Sequence, residues 1–153
     1  MSELDWRIEP PDGEGLAEWR HMRHALWPEM SEAENTQETK ALGEGPKAFV
    51  RLALDRQGRA AGFAEATLRT DYVNGCETSP VVFLEGIYVH PWARRQGAAR
   101  RLVEVVQQWA QQMKCSEMAS DALLENTDSH GMHVGLGFEE TERVVYFRKI
   151  LTQ

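Results

Sequence analysis

At 153 residues with 42% hydrophobic content, the chain is sized for one globular domain around a single sizeable core. A formal charge of −7 argues against nucleic acid as a partner and favours a cationic one. The charged N-terminal stretch MSELDWRIEP has no apolar run resembling a signal peptide or membrane span, and Cys76 and Cys115 stand in no metal-ligand spacing, so a reduced cytoplasmic setting is expected.

Taken in order, Trp6 to Glu9 alternates as a first strand, closed by Pro10-Pro11, and Asp12-Gly13 signals a turn. Leu16, Trp19, Met22, Ala25 and Leu26 then fall on one helical face, stopped by Pro28. Ser31 with Glu34 has capping-box spacing and starts a second, polar helix reaching about Leu42, ended by Gly43 and Gly45-Pro46. Ala48–Leu54 and Ala60–Arg69 read as a hairpin around Gln57-Gly58, and Asp71–Pro80 as a loop turning at Asn74-Gly75. Ala99, Leu102, Val103, Val106, Trp109, Ala110 and Met113 form the clearest helical stripe. A short strand at Glu117–Ser120, a helix at Asn126–Leu136 and a final strand at Glu140–Ile150 complete the pattern. The order predicts an α/β or α+β domain with a mixed sheet.

Between the loop and the striped helix lies VVFLEGIYV, Val81 to Val89, followed by HPWARRQGAARR. An almost wholly apolar run reads as a strand covered on both faces, at the centre of a sheet. Its single carboxylate, Glu85, is costly there unless it is paired or reaches a wet cleft. Gly86 beside it marks a bulge or a close approach by another backbone or a ligand. The segment after the strand gathers Arg94, Arg95, Arg100 and Arg101 around Gly97 and opens the striped helix, a turn suited to anions. One strand, one carboxylate and one anion-binding turn together predict a two-substrate site.

At Arg94-x-x-Gly97-x-Ala99, between a buried strand and a helix, the sequence resembles the GNAT superfamily of acetyltransferases, whose signature there is Gln/Arg-x-x-Gly-x-Gly/Ala. Further segments resemble one subgroup, the aminoglycoside 6′-N-acetyltransferases of bacterial resistance. They are Leu26–Pro28, Asp71–Gly75, Ser79–Val89, Ala119–Asp121 and Gly137–Val144. The resemblance implies the GNAT fold, a central, mostly antiparallel mixed sheet flanked by about four helices. It implies acetyl-CoA as co-substrate, an aminoglycoside as acceptor and a homodimer. Its cofactor-binding positions are Ile87, Tyr88 and Val89 along the pantetheine arm; Arg94, Arg95, Gln96, Gly97, Ala98, Ala99 and Arg100 around the pyrophosphate; and Asn126 on the pantetheine. Trp27, Tyr72, Glu85, Asp121 and Glu142 are expected to face the aminoglycoside, with Glu85 and Asp121 also catalytic. Seven residues after Asn126 stands His133, where many members carry a tyrosine that protonates the departing thiolate. Histidine titrates near working pH and can fill that role, and water is the alternative proton source.

Each position also has a plainer reading. Glu85 could only pair with an arginine such as Arg69, Asp121 could be a turn residue, Glu142 a solvated strand residue and Trp27 a core plug. His130 and His133 share a helix face but lack a convincing third ligand, so no metal is expected. Direct transfer in a ternary complex is expected, because no cysteine or serine stands out as an activated nucleophile. The alternatives are another amine acceptor (a polyamine, a metabolite or a protein lysine) and a CoA- or antibiotic-binding module without catalysis.

Overall fold

A computed structural model describes residues 2 and 5–152. Five strands form one sheet in the order β1 (Arg7–Glu9), β2 (Ala48–Leu54), β3 (Ala60–Arg69), β4 (Val81–Val89) and β5 (Met118–Ser120). The first four run antiparallel to their neighbours and β5 is parallel to β4, which makes the sheet mixed and mostly antiparallel. Among the described residues there are four α-helices: α1 (Glu14–Leu26), α2 (Glu32–Glu44), α3 (Ala98–Gln112) and α4 (Thr127–Gly135). The expected α/β architecture of a mixed sheet with four helices is therefore present.

The chain divides into two compact units, one ending at Asp121 and carrying the whole sheet, the other beginning at Ala122. In the first unit, alternate strand residues face opposite sides, and helices cover both. Phe49 stacks on Trp109 of α3 at 5.0 Å. Val50 and Leu52 instead join Trp19 and Met22 of α1 and Phe63 of β3 in an apolar cluster. The apolar face read from Leu16 to Leu26 is the face α1 buries, and the α3 stripe buries Leu102, Val103, Val106 and Ala110. Val81 to Leu84 are all buried, as a central strand requires. Truncating a fully buried side chain here, such as Phe63, would cost about 3–5 kcal/mol.

The second helix starts as its capping box predicts: the Ser31 hydroxyl accepts a hydrogen bond from the Glu34 N–H at 3.1 Å. Loop 70–80 is fixed at two places. Val73 packs with Val81, Phe83 and Ala119. Glu117, just before β5, accepts bonds from the Thr78 hydroxyl, the Thr78 N–H and the Glu77 N–H. The Thr78 hydroxyl is the main cause holding the Glu117 carboxyl below the usual carboxylate range.

One expected element is not formed. Residues 140–150 do not make a strand, and the chain from 138 to 152 has no regular secondary structure. Val145, Tyr146, Phe147, Ile150 and Leu151 stand out of the core, Phe147 at 92% exposure. The β-branched and aromatic residues that make the segment strand-like are real, but propensity alone does not make a strand. A neighbour must supply the ladder bonds, and the five-stranded sheet does not include this segment.

Ser31→Ala should cost about 1 kcal/mol of stability through loss of the α2 cap, read as a shifted urea midpoint. Acetyl-CoA affinity should stay unchanged, because α2 packs against α1 and β2.

Candidate active site

The site is built on an irregularity in β4. Glu65 of β3 pairs with Gly86, but the next residue, Ala66, pairs with Leu84. Glu85 is thus an extra residue, the bulge that Gly86 marks in the sequence. A bulge turns two successive side-chain positions toward one face, here the α1 face. The Glu85 carboxylate accepts hydrogen bonds from the Thr67 hydroxyl (2.6 Å) and from Arg69 (2.8 Å), both on β3. Gly86 lies beneath the Trp27 ring: a Cβ there would come within 2.5 Å of an indole carbon. Glycine is needed for that approach.

At the same level β4 loses one neighbour. Parallel pairing with β5 runs from Val82–Met118 to Leu84–Ser120, and no further pairing continues it. Gly86 to Val89 go on paired to β3 alone, so the strand edge on the β5 side is free of a strand partner among the described residues. Such an edge offers backbone donors and acceptors to an extended ligand. Asp121 follows Ser120 directly, so its backbone leaves the sheet beside Glu85, and its side chain is exposed.

Beyond β4 the chain turns through Pro91–Ala93 into α3. Gly97, the residue before the helix, has φ 87°, and Arg95 has φ 62°. The first helical bond runs from Arg101 N–H to the Gly97 carbonyl at 3.0 Å, so the amides of the first turn point out of the helix end. With the positive end of the helix dipole they form a cradle for an anion. The turn is braced from inside: Arg94 Nε donates to the Val89 carbonyl (2.8 Å), and Trp6 Nε1 to the Gln96 carbonyl (2.8 Å). Arg94, expected at the cofactor, is thus bound to the turn's own backbone and leans over Tyr88. Ile87 is buried and Tyr88 packs into the α1 cluster beside Phe63.

The structure therefore brings Glu85, Gly86, Trp27 and Asp121 to one level of the sheet. Tyr72 is exposed on loop 70–80, next to the anchored Val73. Asn126, His133 and Glu142 belong to the second unit. There Asn126 caps α4, accepting from the Ser129 N–H at 3.2 Å. His133 donates from Nδ1 to the Ser129 carbonyl (2.7 Å) and meets Phe138 edge-on. Glu142 is exposed. Among the described residues, no group of three or more His, Cys, Asp or Glu is arranged to hold a metal ion.

Sequence reasoning passed over a second carboxylate of the same kind as Glu85. Glu65 stands alone in the apolar run AAGFAEATL and is 2% exposed. It accepts from Trp19 Nε1 (2.8 Å) and Arg23 Nε (2.5 Å). Burial pushes its carboxyl up, and the Arg23 guanidinium and Trp19 N–H work against that push. Its isolation in a strand is the signal that could have found it, with Arg23 one helical turn from Trp19 as the natural partner.

A split central strand beside a helix opened by a left-handed glycine is the arrangement that the GNAT resemblance implies. The Acetyltransferase (GNAT) family profile matches residues 16–138, and the chain belongs to that family. The aminoglycoside N(6')-acetyltransferase type 1 of Serratia marcescens is 49% identical over 140 residues, 92% of this chain and 96% of the relative. The crystal structure of aminoglycoside 6'-N-acetyltransferase AAC(6')-Ih from Acinetobacter baumannii superposes with a TM-score of 0.90 at 45% identity, covering 96% of this chain and 99% of that one. AAC(6')-Iy in complex with the bisubstrate analog CoA-S-monomethyl-acetylneamine gives 0.89 at 42% identity, covering 95% and 99%.

Gly97→Val should weaken acetyl-CoA binding by about tenfold or more, since a β-branched residue is strained at φ 87° and its side chain crowds the amides. Calorimetric titration of acetyl-CoA measures it; unchanged affinity would remove the turn from the cofactor site.

Proposed function

We propose that the protein transfers the acetyl group of acetyl-CoA to the 6′-amine of aminoglycoside antibiotics, and so confers resistance to them. The observation that carries this reading is the parting of β4 from β5 at the Glu85 bulge, beside the anion cradle at Gly97. The relatives named above, alike over nearly the whole chain, supply the acceptor.

The residues fit acetyl-CoA. The amides around Gly97 suit its pyrophosphate, and the open edge of β4 from Gly86 to Val89 suits the amide-bearing pantetheine arm. Acetyl-CoA supplies an activated acyl group whose carbonyl can be polarised by a backbone N–H at the splayed strand. The acceptor's ammonium must lose a proton before it can attack. Glu85, held in place by Thr67 and Arg69, orients that nitrogen and accepts the proton directly or through water. Asp121 adds a second negative charge for a polycationic drug. Trp27 offers an aromatic wall and Tyr72 a further acceptor contact; the family resemblance assigns Glu142 to the acceptor and Asn126 to the pantetheine. His133 is the candidate donor to the leaving thiolate. Transfer is direct, within a ternary complex.

Residues 1–153 act as one acetyltransferase domain. Among the described residues no helix is long and apolar enough to cross a membrane, and both cysteines are free thiols, which supports action in the cytoplasm. A homodimer is the assembled form. Its support is the tail at 140–151, strand-like in composition yet exposing Val145, Tyr146, Phe147, Ile150 and Leu151, more than a monomer ordinarily leaves in water.

Thiol release from acetyl-CoA, measured with two aminoglycosides that differ only in a 6′-amine or 6′-hydroxyl, tests the function. Turnover of the amine compound alone is expected; activity on both would move the attack elsewhere on the drug, and activity on neither would refute the acceptor. Glu85→Gln should lower kcat by about a hundredfold with acetyl-CoA affinity retained. Light scattering should read a dimer for the wild type and a monomer for Phe147→Asp, whereas a monomeric wild type at micromolar concentration would overturn the assembly.

A further inference from the structure

Beneath the candidate site lies a polar cluster that the proposed chemistry does not use. Arg23, 3% exposed on α1, reaches three acceptors on two other elements at once. Its Nε donates to Glu65 of β3; one terminal nitrogen donates to Asn35 (2.9 Å) and the other to Glu38 (2.8 Å), both on α2. Asn35 in turn donates to the Arg20 carbonyl (2.9 Å). No buried side-chain nitrogen or oxygen of the described residues lacks a partner. The cluster is closed.

It is also joined to both walls of the site. The Arg23 guanidinium carbon lies 5.1 Å from the centroid of the Trp27 ring. The Trp27 N–H bonds the Arg23 carbonyl at 2.8 Å, ending α1 there. Trp27 covers Gly86, and Gly86 is the strand partner of Glu65. The contacts therefore run in a circuit: Glu65 to Gly86 through the ladder, Gly86 to Trp27 by packing, Trp27 to Arg23 by ring and backbone, and Arg23 to Glu65 by the ion pair.

We infer that Arg23 and Glu65 are positioning residues for the acceptor half of the site, setting the Trp27 ring over the Glu85–Gly86 bulge. Stability alone would not demand them, because a buried ion pair can be replaced by packed apolar residues without loss. What apolar residues cannot supply is the planar fork that holds three acceptors and the underside of an indole in one arrangement. The pyrophosphate turn lies outside the circuit, and Gly86 enters it through the β3 ladder and its Trp27-facing side rather than through its open strand edge, so the pair should govern the acceptor and not acetyl-CoA.

The inference rests on the aminoglycoside reading, and the test separates the two. Wild type, Arg23→Lys, Trp27→Ala and the double variant are compared for aminoglycoside KM, acetyl-CoA affinity and melting temperature. Lysine keeps a charge opposite Glu65 but cannot make the fork. Arg23→Lys should raise aminoglycoside KM about tenfold with acetyl-CoA affinity unchanged, and should add nothing to KM once Trp27 is alanine, because residues acting through one another are not additive. Its effect on melting temperature should persist in both backgrounds. Additive effects on KM, or an unchanged KM in Arg23→Lys, would overturn the inference. Absence of drug turnover by the wild type would instead refute the acceptor reading; the positioning claim then falls with it. Should Arg23→Lys fail to fold, Glu65→Gln is taken through the same cycle, and it keeps the acceptor for Trp19.

Discussion

One surplus residue in β4 decides the shape of everything around it. Because Glu85 has no partner opposite it in β3, both Glu85 and Gly86 turn to the α1 face. The carboxylate then meets Thr67 and Arg69, and the glycine takes the weight of Trp27. On its other edge β4 parts from β5 one residue earlier, at Leu84. The bulge and the parting coincide, so a single place in the sheet offers a carboxylate, an aromatic wall and a run of open backbone. A regular strand would have sent Glu85 to the opposite side and left β4 with no such place.

The two halves of the site use different materials. The half proposed for the cofactor is backbone: left-handed residues at Arg95 and Gly97 and the exposed amides of α3. The half proposed for the acceptor is side chain: Glu85, Trp27 and Asp121. Backbone recognition depends on conformation and tolerates many side chains, which explains how Arg94 can spend its guanidinium on the Val89 carbonyl without spoiling the cradle. Side-chain recognition depends on identity, and it needs support from below. Arg23 and Glu65 lie where that support is needed, between α1, α2 and β3.

Much of this could be read from the residues. Glu85-Gly86 in an otherwise apolar strand announced the bulge, Gly97 announced the turn, and the stripe from Ala99 to Met113 announced α3. Two things were not legible. Arg23 sits on what reads as the apolar face of α1, and charged residues on such a face acquire meaning only when the opposing strand is known. Glu65 carried the same cue as Glu85 but lacked a neighbouring glycine to draw the eye. The tail from Glu140 misled in the other direction: VVYF has every local mark of a strand, and the sheet of its own chain does not take it up. Local preference names the type of element, and only long-range pairing decides whether it forms.

The bond from Trp6 to the Gln96 carbonyl has a consequence for how the protein comes into being. It ties the beginning of the chain to a turn 90 residues later. During synthesis the N-terminal segment emerges first and must wait, its indole without that acceptor, until Gln96 has left the ribosome. Contacts of such long sequence separation are slow to form, because the intervening loop must be closed first. The brace on the turn before α3 therefore forms only once Gln96 has emerged, and truncated translation products ending before it would carry neither the brace nor the turn.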